Sequence, residues 1–426
     1  MNARVQDFLA EQLATRPEAA ALSDASGAAW SFADLDRARR ALAAELRAAG
    51  VQAGDRVLLM VENCVSAVAG LYAAWELDAV AIPVNARQSE AEVTRIINHA
   101  TPAAVLLTCE VSPEAAAHAV RLDAREIAGD FGSLHLATPQ PSSPDADLHD
   151  VAVLLYTTGT TGDPKGVMLT HSNLRFGARA SADLRQMVPG DVVYGVLPMT
   201  HVFGLVSVLM AAVSAGAKVR QESRFSAAKL HAATHEDVTI LPAVPQMHAL
   251  VMQYSRERGM PKLESPTLRY VSSGGAPLDP AWKRKAEAFY ELPLQNGFGM
   301  TETCSGASAT TNALGSPDTS VGPVTPGTEC KIDDQAPGGN GAGEGEVLVR
   351  GPHVMKGYYR NPTETDKAID AEGWLHTGDL GKLDKEGRLH ILGRSKELII
   401  HGGFNVYPPE VCLLYTSDAA DDLLCV

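Results

Sequence analysis

Aromatic residues are scarce in this chain, at 5% of its 426 residues, which argues against a binding module built on aromatic platforms. No C-x-x-C pair occurs. The six cysteines (Cys64, Cys109, Cys304, Cys330, Cys412 and Cys425) are scattered, with no histidine at metal-ligand spacing. Zinc sites and disulfide frameworks are thereby disfavoured, and free thiols in a reducing compartment are expected. There is no basic run, and a formal net charge of −15 repels polyanions, so nucleic acid is not an expected partner. Long apolar runs are also missing. The most apolar stretch, Val202–Ala217, is short for a membrane span, carries Ser207, Ser214 and two glycines, and reads as a buried helix. The first twenty residues lack an apolar signal-like core and read as an amphipathic helix. A soluble, cytoplasmic protein is expected, and the sequence does not address its oligomeric state.

What is present is ordinary globular material: 45% apolar and 20% charged residues, with alanine abundant. The length exceeds a single core, so at least two domains or subdomains are expected. Strands at Arg56–Val61, Val80–Val84 and Ala103–Cys109 alternate with helices at Ser66–Leu77 and Ser89–His99. A second series opens at Val151, with strands Val151–Thr157, Asp191–Leu197, Ala217–Gln221, Val238–Val244, Thr267–Ser272 and Pro293–Phe298. Helices are predicted between them near Asn173–Gln186, Ala227–Glu236, Pro245–Tyr254 and Pro280–Tyr290. Continuous apolar strands separated by helices indicate doubly wound α/β layers with parallel sheets. The polar, proline-rich segment Pro139–Asp147 reads as the surface connection between the two series. Beyond about Gly322 the texture changes to short strands and Gly/Pro turns, as at Gly345–Arg350 and in the hairpin Asp384–Arg388. The cluster Gly338–Gly345 sits between no strand and helix, so it reads as a hairpin turn and not as a dinucleotide loop.

The segment Tyr156–Gly166, YTTGTTGDPKG, is the most informative. It follows an apolar strand and gathers Thr157, Thr158, Gly159, Thr160, Thr161, Gly162 and Lys165. Glycines let backbone N–H groups turn toward an anion, threonine hydroxyls add donors, and Lys165 adds a mobile positive charge. Those are the requirements of a triphosphate cradle. It is not a Walker A loop, because Asp163-Pro164 precede the lysine and no Ser or Thr follows it. Taken alone, a glycine-rich polar turn would have the same composition.

This loop resembles the signature of the adenylate-forming superfamily, which includes acyl- and aryl-CoA synthetases, firefly luciferases and the adenylation domains of peptide synthetases. Further segments follow in the expected order up to Val411. The resemblance implies that fold: two doubly wound α/β subdomains and a small β-barrel subdomain. Residues 1–392 would form this N-terminal domain, with the α/β part to about 322 and the β-rich part at about 323–392.

The same resemblance assigns roles. In LPMTHVFG, His201 would orient the substrate carboxylate, although a histidine there is otherwise an ordinary core residue. In SSGGAPL, Gly275, Ala276 and Pro277 would flank adenine; a tight turn is the plain alternative. In NGFGMTE, Asn296, Gly297 and Phe298 would line the base. Thr301 would donate to the α-phosphate, and Glu302 would contact Mg2+, since a bare carboxylate beside phosphate is repulsive. The family more often has tyrosine at Phe298; stacking survives that change, and a phenol contact does not. Asp379 of GWLHTGD would accept the ribose hydroxyls, where capping a turn is the alternative. Arg394 of GRSKE would contact ribose and phosphate, and Lys396 falls at the hinge. Gly402 and Gly403 of GGFNVYP would line the entry for CoA.

The implied reaction joins a carboxylic acid to CoA at the cost of ATP, with ATP, Mg2+ and CoA as cofactors and a small-molecule acid as the remaining partner. The apolar residues Val202, Phe203, Pro245 and Met247, with Gln246, favour a medium- or long-chain fatty acid or an aryl acid over acetate. A carrier-protein adenylation domain and a catalytically inert nucleotide-binding fragment remain open alternatives. Residues 393–411 would be the hinge and the start of a C-terminal domain, in which the family carries a further lysine. Residues 412–426, CLLYTSDAADDLLCV, match nothing expected there and read as a foreign end. A chain without that lysine is expected to bind ATP and adenylate slowly.

Overall fold

A computed structural model describes residues 3–139, 144–158, 164–276, 278–397, 399–401 and 404–406. The chain divides into two compact units. The first comprises Met1–Phe225 with Met300–Ser305 and Met355–Pro362, and the second comprises Ser226–Gly299, Gly306–Val354 and Thr363–Val426.

The first unit is built on an eight-stranded sheet. From one edge its strands run Gly357–Tyr358, Pro164–Thr170, Val151–Thr158, Val80–Asn85, Arg56–Val61, Ala104–Leu107, Gly132–Ala137 and Arg125–Gly129. Pairing is parallel from Val151–Thr158 through Ala104–Leu107 and antiparallel toward both edges. Every residue of Arg56–Val61 and of Ala104–Leu107 is buried, as expected of central strands covered on both faces. The helix Val65–Glu76 lies deep in the unit, and its Trp75 indole donates to the Ala152 carbonyl at 2.8 Å. Ser89 and Glu92 form a reciprocal cap on Glu90–Ala100, and Thr170 with Asn173 does the same for His171–Leu184. The same unit also carries four strands in the order Val192–Gly195, Lys218–Gln221, Ala20–Asp24, Ala29–Ser31.

Two expectations change here, and a third, the buried helix from Val202, is borne out in a more specific form. The strand Val151–Thr158 opens no second sheet; it joins the first, with Ala81 opposite Val153. The segment at 139–147 thus falls between two strands of one sheet, Gly132–Ala137 and Val151–Thr158. Lys165 leaves the loop: it is the second residue of the strand Pro164–Thr170, and Thr157 stands opposite it in a β-hairpin. Finally, the apolar run from Val202 is a π-helix, Phe203–Met210, continued by the α-helix Ala211–Ala215. A Cβ on Gly204 would lie 2.2 Å from the Pro198 carbonyl oxygen, so only glycine lets this helix start against the loop before it.

In the second unit, Ile240–Ala243, Tyr270–Gly274 and Leu294–Phe298 run parallel and Ser308–Ala309 closes the edge antiparallel. The helix Ala227–Glu236 precedes them, and Pro245–Arg256 and Pro280–Tyr290 connect the three parallel strands. A four-stranded antiparallel sheet follows, in the order Glu329–Asp333, Glu344–Arg350, Leu375–Leu383, Leu389–Arg394. Its turns fall at the glycine cluster 338–343 and at Asp384–Arg388, as the sequence indicates.

Candidate active site

In the first unit, three separate stretches of chain converge. The hairpin arm that carries Lys165 pairs with the two-residue strand Gly357–Tyr358, Tyr358 opposite Val167. The Lys165 ammonium sits 5.1 Å from the centre of the Tyr358 ring, within cation–π range. The Tyr358 hydroxyl donates to Glu302 Oε1 at 2.9 Å, and the Met355 N–H donates to the Glu302 carbonyl at 2.8 Å. Lys165 and the TE carboxylate, 137 residues apart by numbering (302 − 165), thus approach one tyrosine, the first over its ring and the second at its hydroxyl. Thr301 and Glu302 are buried in a 3-10 turn that ends with Cys304 and Ser305 at φ +49° and +114°. Such left-handed backbone at non-glycine residues marks a turn held by its surroundings. The holding contacts are visible. The Ser305 hydroxyl bonds that of Ser207 on the π-helix, which Ser181 also reaches at 3.2 Å, and Arg185 donates to the Ser207 carbonyl.

His201 lies just before the π-helix. The Phe203 N–H donates to His201 Nδ1 at 3.3 Å, which puts the proton of the neutral ring on Nε2. Desolvation holds its pKa below the usual imidazole value, although the residue keeps an exposed surface. His201 is therefore a neutral N–H donor. The loop that leads to it hangs on Asn63, a buried residue the sequence did not single out. The Asn63 amide donates to the carbonyls of Gly195 and Leu197 at 2.8 and 2.9 Å and accepts the Met199 N–H at 2.9 Å.

In the second unit, register brings two predicted segments side by side. Ser273 stands opposite Asn296 and Gly274 opposite Gly297, so Gly275 and Ala276 emerge next to Phe298. Asn296 is buried, its amide donating to Ser320 O at 3.2 Å. Beneath the strand end, His248 Nε2 donates to the Ser272 carbonyl at 3.1 Å while Nδ1 accepts from the Tyr290 hydroxyl at 2.8 Å. Full burial pushes this imidazole down to about 4, so the pair stays neutral. Asp379 and Arg394 are cross-strand partners, with Arg394 Nε 3.4 Å from Asp379 Oδ1. Lys396 lies exposed in the short turn Ser395–Glu397. Gly159, Thr160, Thr161, Gly162, Pro277, Gly402 and Gly403 lie outside the described residues, as does the side chain of Thr158.

Among the described residues no group of three or more His, Cys, Asp or Glu side chains could hold a metal ion. A resident cage is thus not built from them. Glu302 alone, with one oxygen taken by Tyr358 and Oε2 making no hydrogen bond among the described residues, fits a cation that brings its other ligands from water and phosphate. Mg2+ behaves in that way. Among the described residues no helix is long and apolar enough to cross a membrane.

The sequence pattern of the AMP-binding enzymes matches residues 9–359. Two relatives at comparable similarity are 4-coumarate–CoA ligase 5 of Oryza sativa subsp. japonica and a feruloyl-CoA synthase of an Amycolatopsis species. The first is 33% identical over 98% of this chain and 80% of its own length. The second is 32% identical over 90% of this chain and 77% of its own length. Among solved structures, ATP-bound MatB from Rhodopseudomonas palustris superposes with a TM-score of 0.81, at 31% identity over 96% of this chain and 82% of that one. The o-succinylbenzoate CoA synthetase MenE of Bacillus subtilis, in complex with ATP and magnesium, does so with 0.81, at 29% identity over 97% and 84%. The protein belongs to the AMP-binding enzyme family, and its fold is the N-terminal domain of the adenylate-forming enzymes.

Proposed function

We propose that this protein is an AMP-forming carboxylic acid–CoA ligase. The observation that carries the proposal is the approach of both Lys165 and Glu302 to Tyr358, which would give a phosphate site a cation and a metal-competent carboxylate. In the first step a carboxylate oxygen attacks the α-phosphorus of ATP. The bond to the bridging oxygen of the β-phosphate breaks, and pyrophosphate leaves. In the second, the thiol of CoA gives up its proton to solvent, its sulfur attacks the acyl carbon, and AMP departs with the anhydride oxygen. The first step brings anions together, so positioning and charge neutralisation supply most of the catalysis. Lys165 would hold the phosphates, Thr301 would donate to the α-phosphate, and His201 Nε2–H would donate to the substrate carboxylate or the phosphoryl oxygen. Mg2+, when bound through Glu302, would neutralise the phosphate charge. Asp379 and Arg394 suit a ribose, whose hydroxyls a short carboxylate accepts, and Gly275, Ala276 and Phe298 suit the flat face of adenine.

The finer reading is an aryl acid. The relatives named for coumarate and ferulate support it, as does the apolar character of Val202, Phe203 and Met247. Fatty acids of medium or long chain are the alternative.

The test is pyrophosphate release with ATP, CoA and a panel of hydroxycinnamates, benzoates, fatty acids, malonate and amino acids, with the thioester product followed in parallel. Aryl substrates should give the largest signal and an acyl-CoA. A signal from amino acids alone, without thioester, would remove the ligase assignment.

A further inference from the structure

Tyr358 belongs to none of the segments that a phosphate-site reading of the sequence selects, yet it is the residue through which two of them touch. Its backbone is fastened at both ends. Before it, the Met355 N–H bonds the Glu302 carbonyl and the Lys356 N–H bonds the Met168 carbonyl at 3.0 Å. After it, the Tyr359 N–H bonds the carbonyl of Gly166, the neighbour of Lys165, at 2.8 Å. The side chain is buried between them, the ring toward Lys165 and the hydroxyl on Glu302 Oε1. A phenylalanine here would preserve the ring contact and leave one carboxylate oxygen without its donor.

We propose that Tyr358 is a positioning residue for the nucleotide site, orienting the Glu302 carboxylate toward the cation that accompanies ATP and holding the Lys165 ammonium beside it. The inference rests on the adenylating reading given above. A carboxylate that must take a cation through one oxygen gains from having the other fixed, because a freely rotating carboxylate loses that orientation each time it binds. The hydroxyl supplies that restraint, and the π-face keeps a long, flexible lysine near the loop.

The experiment is a calorimetric titration of the 426-residue chain with ATP across a Mg2+ series, and with AMP without metal, for the wild type, Tyr358→Phe, Tyr358→Leu, Glu302→Gln and the double variant Y358F/E302Q. Tyr358→Phe should raise the Mg2+ concentration for half-maximal ATP binding by about tenfold, with AMP affinity unchanged and ATP binding restored at high Mg2+. Tyr358→Leu should in addition weaken ATP binding without metal, since Lys165 loses the ring. In the Glu302→Gln background, Tyr358→Phe should add nothing. Superimposable Mg2+ curves for the wild type and Tyr358→Phe, or equal effects of Tyr358→Phe with and without Glu302, would overturn the role given to the tyrosine. A wild-type chain that binds no ATP at any Mg2+ concentration would instead remove the adenylating reading, and this inference with it.

Discussion

Asn63 and Met199 are joined by a 2.9 Å hydrogen bond that crosses from the turn after one central strand to the loop that ends at His201. The same side chain donates to two more groups of that loop, so a single amide supports most of its backbone. Replacing Asn63 with alanine strands two carbonyls and one N–H in a buried place. A loss of about 2–3 kcal/mol in urea denaturation is expected, with turnover reduced more than ATP affinity. Asn63→Asp keeps an acceptor for Met199 and loses both donors, so it should do no better than alanine. Wild-type stability and turnover in both variants would contradict this account of the loop.

The π-helix start allows no side chain at Gly204, because the obstruction is backbone, the carbonyl oxygens of Pro198 and Leu197 at 2.2 and 2.4 Å. Gly204→Ala should cost about 3 kcal/mol and lower turnover, since the displaced turn includes His201. Thermal unfolding and steady-state kinetics together check it. A variant as stable as the wild type would mean that the loop moves aside without cost.

Three buried histidines set an acid limit on stability. Desolvation, the largest cause in each case, pushes His171 down to about 3 and His248 and His353 to about 4, against about 6.5 in an unfolded chain. Below 6.5 the unfolded chain takes up protons that the folded one refuses, so stability is full above that pH and falls as the pH drops toward 4. Urea midpoints measured from pH 8 to 4.5 should be flat at first and then decline. Each histidine contributes up to about 1.4 kcal/mol per pH unit, and His248→Gln should remove one such share from the slope. Midpoints independent of pH between 6.5 and 4.5 would contradict the burial of these rings.

The pair Asp379–Arg394 should matter to nucleotide and hardly to stability. Arg394 is mostly exposed, and an exposed ion pair contributes about 0.2–1 kcal/mol at most. Arg394→Ala should therefore unfold near the wild-type temperature while ATP and AMP affinities both fall, by about tenfold. Unchanged affinity for both nucleotides would detach this pair from the site.

Much of the fold is legible in the sequence wherever a local pattern decides it. The strand Arg56–Val61 and the helices Ala227–Glu236 and Pro280–Tyr290 fall where apolar runs and the alternation of strands and helices put them. The hairpin turn at Asp384–Arg388 is equally local. What local pattern cannot carry is the choice of partner. Val151–Thr158 looks like the start of a new series, and only its pairing with Val80–Asn85 places it in the first sheet. The run from Val202 has helical composition, but neither its π-form nor the close approach of Gly204 to the loop before it is marked by a local pattern. For the candidate site, the motif residues stand out in the sequence because their chemistry is unusual at that spacing. Tyr358, Asn63 and His248 do not, because nothing near them in sequence marks an orienting tyrosine, amide or imidazole. Their meaning lies in partners 24 to 136 residues away.

The hairpin that carries Lys165 has an electrostatic consequence. In many phosphate-binding loops a helix begins at the loop itself and lends the partial positive charge of its first turn. Here the lysine is followed by a strand, and the next helix starts at His171, about 20 Å further along an extended chain. That field falls off within a turn, so it offers the triphosphate almost nothing. On the proposed reading the phosphate charge would be met by Lys165, by a metal ion at Glu302 and by the donors of the Gly/Thr-rich segment, not by a helix end. Under the proposed reaction, departure of the metal ion would remove part of the charge that holds pyrophosphate, which the field of a helix end could not do.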